Sequence, residues 1–302
     1  MKNSYRLTLP ILTGLCLLSA ALRPSSVEAA RHHDRNYSAQ KQETVEKSFT
    51  LPAGAHNSLD IDNIFGSIEV TGGSGNQVHV VVTETWRGES DAAVDRARKE
   101  VSLDISQDAG AVKFYVNGPF RCHDHGSDCC CCDSSDDRNY SVKMDFKVEV
   151  PAQIDVEART VNEGHVRISN VAGKFLVRNV NGGIELNSMG GSGSARTVNG
   201  PVTVSFRQNP RENSDFKSIN GAVELRFAPG LSADFRFKNF NGGIYSDFPV
   251  TALPARDNTV EHQGGKVIFR ADRYSAARIG SGGPEVQVEN LNGEIRILEN
   301  HE

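Results

Sequence analysis

Aromatic residues are scarce in this sequence: of 302 residues, one is Trp and six are Tyr, and aromatic side chains make up 7% of the chain. Exposed aromatic rings are the usual platforms for stacking on sugar rings, because they offer a large flat apolar face. The composition therefore gives little sign of a stacking-based sugar site.

Common catalytic motifs are missing too. The chain has no Gly-x-Ser-x-Gly elbow, no His-Glu-x-x-His helix and no Walker-type phosphate loop. Its glycine-rich pieces, at residues 190–193 and 280–283, precede strand patterns, which favours corners over nucleotide sites. Net positive charge is also absent, since the formal charge is −5 at pH 7. We therefore expect no nucleic-acid partner.

A long apolar run occurs only at the N-terminus. Residues 1–29 have a basic start at Lys2 and Arg6, an apolar stretch over residues 7–22 and a small-residue cleavage site ending at Ala29. This pattern predicts a cleaved signal peptide, an exported chain in the periplasm or outside the cell, and no membrane span after cleavage. Loss of these residues changes the formal charge to −7.

What the chain does contain is a repeated phrase. Asn-Gly recurs in the same apolar context, and successive pairs between residues 181 and 242 lie 18, 21 and 21 residues apart. A period of about 20 residues is typical of solenoids. The corner pairs are Asn181-Gly182, Asn199-Gly200, Asn220-Gly221, Asn241-Gly242 and Asn292-Gly293.

The residues before each corner alternate between apolar and polar, as in Phe175, Val177 and Asn179 against Leu176 and Arg178. This period of two predicts β-strands, so we expect an all-β, single-domain parallel β-solenoid (β-helix) with repeats of 18–21 residues. An Asn, Thr or Ser lies on the inward face two places before each corner Asn, and stacked copies would form a polar ladder. A simple hairpin at each Asn-Gly is the alternative.

The solenoid is expected over residues 47–299, beginning with a copy that carries Phe65 at the corner. Residues 30–46 are polar and without periodicity, which predicts a disordered arm. Residues 90–100 predict the one helix, with Ser90 as N-cap, and we expect this helix to cap the open end of the solenoid. The chain ends on a good repeat without a cap, which suggests end-to-end self-association.

A Cys/His-rich loop is predicted as an insertion at residues 121–139. Thiolates and imidazoles are ligands of zinc and copper, although four consecutive cysteines fit no standard knuckle. Disulfides are the alternative that an exported setting favours. No other cofactor is expected. The candidate metal ligands are Cys122, His123, His125, Cys129 and Cys132.

Basic residues recur at one outward position of the repeats. They predict a cationic stripe on one strand face, which could bind an anionic glycan or a phosphate-bearing polymer, or remain a solvated surface. Glu185, Glu224 and Asp247 form an acidic counterpart beyond the corner. The stripe residues are Arg178, Arg196, Lys217, Arg236 and Lys238.

The repeated Val-Asn-Gly phrase after a secretory signal resembles the bacterial putative-adhesin family of exported domains. That resemblance covers about residues 47–299 and implies a parallel β-solenoid with no established catalytic activity. It brings no catalytic residues to this chain. The Cys/His loop departs from the family pattern.

Three functions remain open on these grounds. The first is an exported, non-enzymatic binding or structural scaffold whose partner is an envelope or cell-surface component, an anionic glycan or another protein. The second is a metal- or redox-responsive envelope protein that uses the Cys/His loop. The third is a polysaccharide-cleaving β-helix enzyme.

Overall fold

The computed structural model describes residues 37–54, 56–121, 138–254 and 274–300, together with the backbone of two strands between residues 255 and 273. In chain order the elements are β1 (Ala39–Thr50), β2 (Ser58–Asp62), β3 (Ile68–Gly73), β4 (Gln77–Gly88), α1 (Asp91–Glu100), β5 (Ser102–Asp108), β6 (Ala111–Asn117), β7 (Tyr140–Pro151), β8 (Asp155–Arg159), β9 (Val166–Ser169), β10 (Phe175–Arg178), β11 (Ile184–Met189), β12 (Gly193–Arg196), β13 (Val202–Phe206), β14 (Ser214–Asn220), β15 (Val223–Phe227), β16 (Ala233–Asn241), β17 (Ile244–Ser246), β18 (Val250–Leu253), β19 (Thr259–Gln263), β20 (Lys266–Arg270), β21 (Ser275–Ile279), β22 (Glu285–Asn292) and β23 (Ile295–Glu299).

Two large mixed sheets contain all of these strands except β19 and β20, which pair with each other. Sheet A has ten strands in the order β1-β4-β7-β3-β9-β11-β13-β15-β23-β17, and sheet B has eleven in the order β18-β21-β16-β22-β14-β12-β10-β8-β2-β6-β5. The described part of the chain is therefore all-β apart from α1. A purely parallel solenoid is not confirmed, because β1, β4 and β7 pair antiparallel, as do β5 with β6 and β21 with both β16 and β18.

The repeats occupy the parallel centre of both sheets. Each repeat supplies a strand of sheet B, a corner and then a strand of sheet A, and we call this unit a rung. β10 pairs with β8 and β12, whereas β11 pairs with β9 and β13. The two strands that flank an Asn-Gly pair thus lie in different sheets. The hairpin alternative is wrong for these rungs.

The inward side chains of both sheets form one hydrophobic core. Alternate residues of the strands are buried, so that β13 reads buried, intermediate, buried, intermediate, buried. Phenylalanine rings from the two sheets pack against each other in the core. The ring centroid of Phe206 in sheet A lies 6.2 Å from that of Phe216 in sheet B, and the centroids of Phe227 and Phe235 are 5.7 Å apart. This interdigitation of two sheet faces is the packing that buries the apolar half of each repeat.

Most of the polar residues predicted on the inward face are buried, Asn239 only partly so, but they do not form a ladder with one another. The Thr197 hydroxyl donates to the carbonyl of Gly182 at 2.8 Å, and the Ser218 hydroxyl donates to that of Gly200 at 2.8 Å. Each such bond joins one rung to the corner of the previous rung. Buried corner carbonyls need a donor, and this position supplies it. The buried members are Asn63, Thr160, Asn179, Thr197, Ser218 and Asn290.

The side-chain ladder is built instead by the corner asparagines, which are mostly exposed. Each side-chain amide donates to the amide oxygen of its neighbour in the stack, over donor–acceptor distances of 2.6 to 2.8 Å. The corner glycines allow this close stacking: a Cβ on Gly293, whose φ is 144°, would lie 2.5 Å from the carbonyl oxygen of Gly221. In stack order the ladder is Asn162, Asn181, Asn199, Asn220, Asn292 and Asn241.

This order differs from the order of the sequence. The last repeat, β22 and β23, lies between the rung of β14 and β15 and the rung of β16 and β17. Self-association was expected because the chain ends on an uncapped repeat. That reason fails, since the final repeat is an interior rung. The rung at the end of the stack is the one with Asn241.

The other end of the stack is closed by antiparallel strands and α1. Ser90 is the N-cap of α1, as predicted, and accepts a hydrogen bond from the Ala93 amide at 3.3 Å. The helix buries Ala93, Val94 and Ala97, and it contacts β4, β1 and β7. The predicted disordered arm at residues 30–46 needs correction, because Ala39–Thr50 forms β1, in register with β4. Long-range pairing supplies the order that the local pattern does not indicate.

Candidate functional site

The outer face of sheet B aligns charged side chains in rows across its parallel strands. Arg159 of β8 is in register with Arg178 of β10, Arg178 with Arg196 of β12, and Arg196 with Lys217 of β14. We call these four residues the cationic row. Because neighbouring strands lie about 4.8 Å apart, the row places one cationic side chain on each of four successive rungs, about 14 Å from end to end.

The predicted stripe is partly brought together. Arg178, Arg196 and Lys217 are adjacent, whereas Lys238 is separated from Lys217 by Glu289 of the inserted last repeat. Arg236 lies one row away, opposite Gln287, with 8% of its surface exposed.

Arg159 was missed by sequence reasoning. The signal was present, because Arg159 precedes the looser copy Thr160-Val161-Asn162 at the same offset as Arg178 precedes its own corner.

Most of the cationic row is already paired within the chain. Arg159 contacts Glu157 and lies 3.4 Å from Asp62, and Arg196 lies 2.5 Å from Asp215. Lys217 lies 2.9 Å from Glu289. Exposed ion pairs of this kind contribute about 0–1 kcal/mol, so a ligand anion can replace the internal carboxylate at little cost.

Arg178 is the exception in the cationic row. Its side chain is exposed, and no carboxylate in the described part of the chain pairs with it. Its guanidinium is therefore the group in the row that is most available to an incoming anion.

The negatively charged Glu289 follows Lys217 in the strand register and so ends the cationic row. Partial burial opposes its ionisation, but hydrogen bonds from Tyr274 and Lys217 outweigh that effect and lower the pKa of Glu289 to about 2. The Tyr274 ring lies under Arg236, with the guanidinium carbon 4.9 Å from the ring centroid. Because the charged groups of this cluster are already paired with one another, we expect the cluster to fix the local surface structure rather than to bind a ligand.

A groove lies beside the cationic row, at the N-terminal ends of the sheet B strands. Its volume is about 780 Å³, within the range of small-ligand sites. Leu176, Gly193 and Ser194 lie among its small or apolar lining residues, and carboxylates contribute much of the rest. The acidic members of the lining are Asp60, Asp155, Glu157, Glu212, Asp215 and Glu285.

A second recess of about 520 Å³ shares part of this lining. Lys174 and Glu212 line both cavities and form an ion pair at 2.7 Å. The hydrogen bond that Lys174 donates to Glu212 raises the pKa of Lys174, so the ammonium stays protonated. The two recesses thus meet at a polar contact that is exposed and easily exchanged with a ligand.

An apolar row borders the cationic row on its other side. It consists of the residues that precede the corner asparagines and contact solvent in part. Its exposure grows toward the end of the stack, where Leu291 is 43% and Phe240 79% exposed. The row is Val161, Val180, Val198, Ile219, Leu291 and Phe240.

The predicted acidic counterpart on sheet A is not a continuous surface. Thr203 separates Glu185 from Glu224 in the register, and Glu185 is paired with Arg167 at 3.0 Å. Hydrogen bonds from Asn187 and Arg167 lower the pKa of Glu185. Asp247 follows β17, outside that row of paired residues.

The candidate metal ligands Cys122, His123, His125, Cys129 and Cys132 lie outside the described residues. Their segment leaves sheet B after Arg121, which pairs with Asp62 at 2.9 Å, and rejoins sheet A at β7. Within the described ranges, no three His, Cys, Asp or Glu side chains gather as a metal site would require.

No helix among the described residues is both long and apolar enough to cross a membrane.

No protein-family profile and no curated protein matches the sequence. Several solved structures are similar over most of the chain. A putative cell adhesion protein from Clostridium sporogenes is 9% identical, with 85% of this chain and 100% of that chain covered, at a TM-score of 0.35. A putative adhesin from Bacteroides fragilis is also 9% identical, covering 85% and 97%, at 0.28.

A putative lipid binding protein from Parabacteroides distasonis is 10% identical, covering 84% and 96%, at a TM-score of 0.24. Two of these three structures thus have adhesion-type names, as the repeat phrase led us to expect. Similarity at this level establishes neither a family nor a ligand for the chain.

Proposed function

We propose that this protein is an exported, non-enzymatic scaffold whose parallel rungs act as a short solenoid and bind an extended anionic polymer of the cell envelope. The observation that carries the proposal is the register of Arg159, Arg178 and Arg196 with Lys217 on four neighbouring strands. Such a row can meet a chain of carboxylates or phosphates at several points together.

The ligand would run along the stack, across the strands. A polymer that carries a carboxylate or phosphate on each unit could contact basic side chains on several strands together, since neighbouring strands lie about 4.8 Å apart. Arg178 would make the first contact because it is exposed and unpaired within the described residues. Arg196 would then exchange Asp215 for a ligand anion, whereas Lys217 would keep Glu289 and mark the end of the bound stretch.

The polysaccharide-cleaving alternative has less support from this surface. Cleavage of a glycosidic bond needs a carboxyl group that can donate a proton near a second carboxylate. The groove carboxylates closest to the row are engaged by cations instead, as Asp215 is by Arg196 and Glu157 is by Arg159. That arrangement suits charge recognition.

The test is binding of the purified protein to polygalacturonate, with neutral dextran as a comparison ligand. Arg178→Glu should weaken the binding of polygalacturonate by about tenfold, since it replaces an attraction by a repulsion worth about 1–2 kcal/mol. Arg87→Glu, an exposed arginine on sheet A, is the matched control and should bind like the unmodified protein.

Raising the salt concentration should weaken binding of the unmodified protein and have less effect on Arg178→Glu. The proposal fails if no anionic polymer binds at low salt, or if the two charge reversals behave alike. The appearance of new reducing ends on polygalacturonate during the assay would show cleavage and would overturn the non-enzymatic part of the proposal.

A metal- or redox-responsive role is the second candidate, because both ends of the segment 122–137 adjoin ordered structure. Arg121 lies over the Tyr115 ring at 4.0 Å and donates to the Asp62 carbonyl at 2.8 Å, immediately before Cys122 in the sequence. The thiols and imidazoles that follow within residues 122–132 are the ligand types that zinc and copper take.

Metal content and a free-thiol count on protein purified without reductant or chelator test this second role. Stoichiometric zinc or copper would support it. Disulfides without bound metal would remove the metal-binding form, and unchanged oxidant response after deletion of residues 122–137 would remove the redox form.

A further inference from the structure

The end of the stack opposite α1 has an apolar surface. All five large hydrophobic residues that are strongly exposed in the described ranges lie on its last two rungs or on β18, which ends sheet B beyond β21. Phe240 is 79% exposed, Val250 54% and Tyr245 53%. Ile244 and Leu291 complete the set, at 42% and 43%. We call these five residues the end patch.

Both large sheets finish at this end in a strand that carries no charge. β17 (Ile244–Ser246) is the last strand of sheet A, and β18 (Val250–Leu253) is the last strand of sheet B. β17 pairs only with β23 among the described strands, so one side of its backbone offers free N–H and C=O groups. Uncharged edges of this kind pair readily with another strand.

The far end of sheet A shows what a protected edge looks like in the same molecule. Its last strand, β1, carries Lys41, Glu43, Glu46 and Lys47, and α1 packs against that part of the sheet. Charges on an edge strand oppose pairing with a second chain. Charge therefore protects one end of the stack and leaves the other open.

We propose that the end patch is the interface of a homodimer in which β17 of two copies pairs antiparallel about a twofold axis. The sheet B half of the end rung is already covered, because β16 pairs with β21, so the open part of this rung is β17. The opposite end of the stack is closed, and the matching open edge is therefore β17 of a second copy. A twofold arrangement is also the commonest symmetry of soluble dimers.

The sequence of β17 fits this pairing. Antiparallel alignment centred on Tyr245 places Ile244 opposite the partner's Ser246 and Gly243 opposite the partner's Asp247. No like charges face each other, and the apolar residues of both copies adjoin. A sheet that continues across the axis keeps the same outer face, so both cationic rows would lie on one side of the dimer.

The experiment is light scattering on the purified protein over about a hundredfold range of concentration, with reductant present so that cysteines cannot cross-link the chains. We expect the mass of two chains at high concentration. Tyr245→Lys should shift the dimer midpoint upward by about threefold or more, because residue 245 lies in register with the outward Arg296 and the change sets two like charges opposite each other across the axis. Gln42→Lys, on the charged edge β1, is the control and should leave the midpoint unchanged.

Hydrogen exchange supplies a second readout that does not depend on a variant. The backbone amides on the open side of β17, those of Ile244 and Ser246, should become protected as the dimer forms and should exchange faster in dilute protein, because the alternate residues such as Asp247 already bond to β23. A monomer at every concentration overturns the proposal. Protection of these amides in a monomer would show that residues of the same chain, such as 255–273, cover the edge instead.

Discussion

Asn292 donates its side-chain amide to Asn220, a residue 72 positions earlier in the chain, over 2.8 Å. On its other side, Asn292 accepts a hydrogen bond from Asn241 at 2.7 Å. The final repeat therefore joins two earlier repeats that would otherwise be direct neighbours. The order of the rungs is therefore the same in the asparagine ladder at the surface and in the strand pairing of both sheets.

Interior and terminal members of the asparagine ladder should differ in their effect on stability. Asn199→Ala removes one donated and one accepted bond, whereas Asn241→Ala removes only one bond. With about 0.5–1.5 kcal/mol for each hydrogen bond, we expect a loss of about 1–3 kcal/mol for Asn199→Ala and about half of that for Asn241→Ala. Urea unfolding measures both. Equal losses of unfolding free energy in the two variants would show that stability does not depend on the number of ladder hydrogen bonds removed.

A methyl group at a corner glycine should be strongly destabilising. A Cβ on Gly221 would lie 2.8 Å from the backbone nitrogen of Pro201 and closer still to the Gly200 carbonyl, so the rungs would have to move apart. Gly221→Ala should cost about 2–4 kcal/mol in the free energy of unfolding.

Gly73→Ala is the matched control for this corner substitution. Its nearest neighbour to an added Cβ is the Val150 carbonyl oxygen at 3.9 Å. Its unfolding free energy should change by less than about 0.5 kcal/mol. Similar thermal midpoints for both variants would contradict the close approach of the corners.

Two equivalent inward asparagines should respond in opposite ways to an apolar replacement. Asn179 donates to the Gly164 carbonyl at 3.0 Å and accepts from the Val180 amide at 2.8 Å. Neither polar atom of the Asn290 side chain has a hydrogen-bond partner among the described residues. Asn179→Leu should therefore cost about 2–3 kcal/mol, whereas Asn290→Leu should be neutral or stabilising. Denaturant midpoints decide this, and a large loss at Asn290 would show that its amide is satisfied in solution.

Glu289 should stabilise the fold only above acidic pH. Its pKa falls from 4.5 to about 2 on folding, so its stabilisation is present above about pH 4.5 and is lost as the pH falls toward 2. Glu289→Gln should be less stable than the unmodified protein at pH 7, and the gap should close on acidification. Thermal unfolding at several pH values measures the gap.

Glu84 provides the control of opposite sign for that experiment. Burial and the nearby charge of Glu43 raise its pKa, so its ionised form is a cost to the fold at neutral pH. Glu84→Gln should be at least as stable as the unmodified protein at pH 7, and the difference should vanish below about pH 4.5, the ordinary value of a glutamate. A gap at Glu289 that does not depend on pH would show that its charge is not what stabilises the fold.

Local pattern was enough to predict the strands of the repeats, the corners and α1. Alternation placed Asn179 and Thr197 on the inward face, and Ser90 marked the start of the helix. These features depend on neighbouring residues, for which spacing of two or about four positions is informative.

Pairing between distant segments was beyond this kind of reasoning. Nothing in the repeated phrase states which copies are neighbours, so the insertion of β22 and β23 could not be deduced. That insertion sets Glu289 between Lys217 and Lys238 and interrupts the predicted stripe. The pairing of β1 with β4 likewise depends on a partner about 40 residues away, which composition does not indicate.

The position of the last repeat has a consequence for how the protein is made. A polypeptide leaves the ribosome from its N-terminus, and stacked repeats can in general fold as they emerge. Here the sixth of seven rungs in the described stack is synthesised last, after the rung that must lie beyond it. Until β22 and β23 have been synthesised, the stack therefore lacks an internal layer, and the rung of β16 and β17 has no correct neighbour. The whole stack can form only after synthesis has passed Glu299.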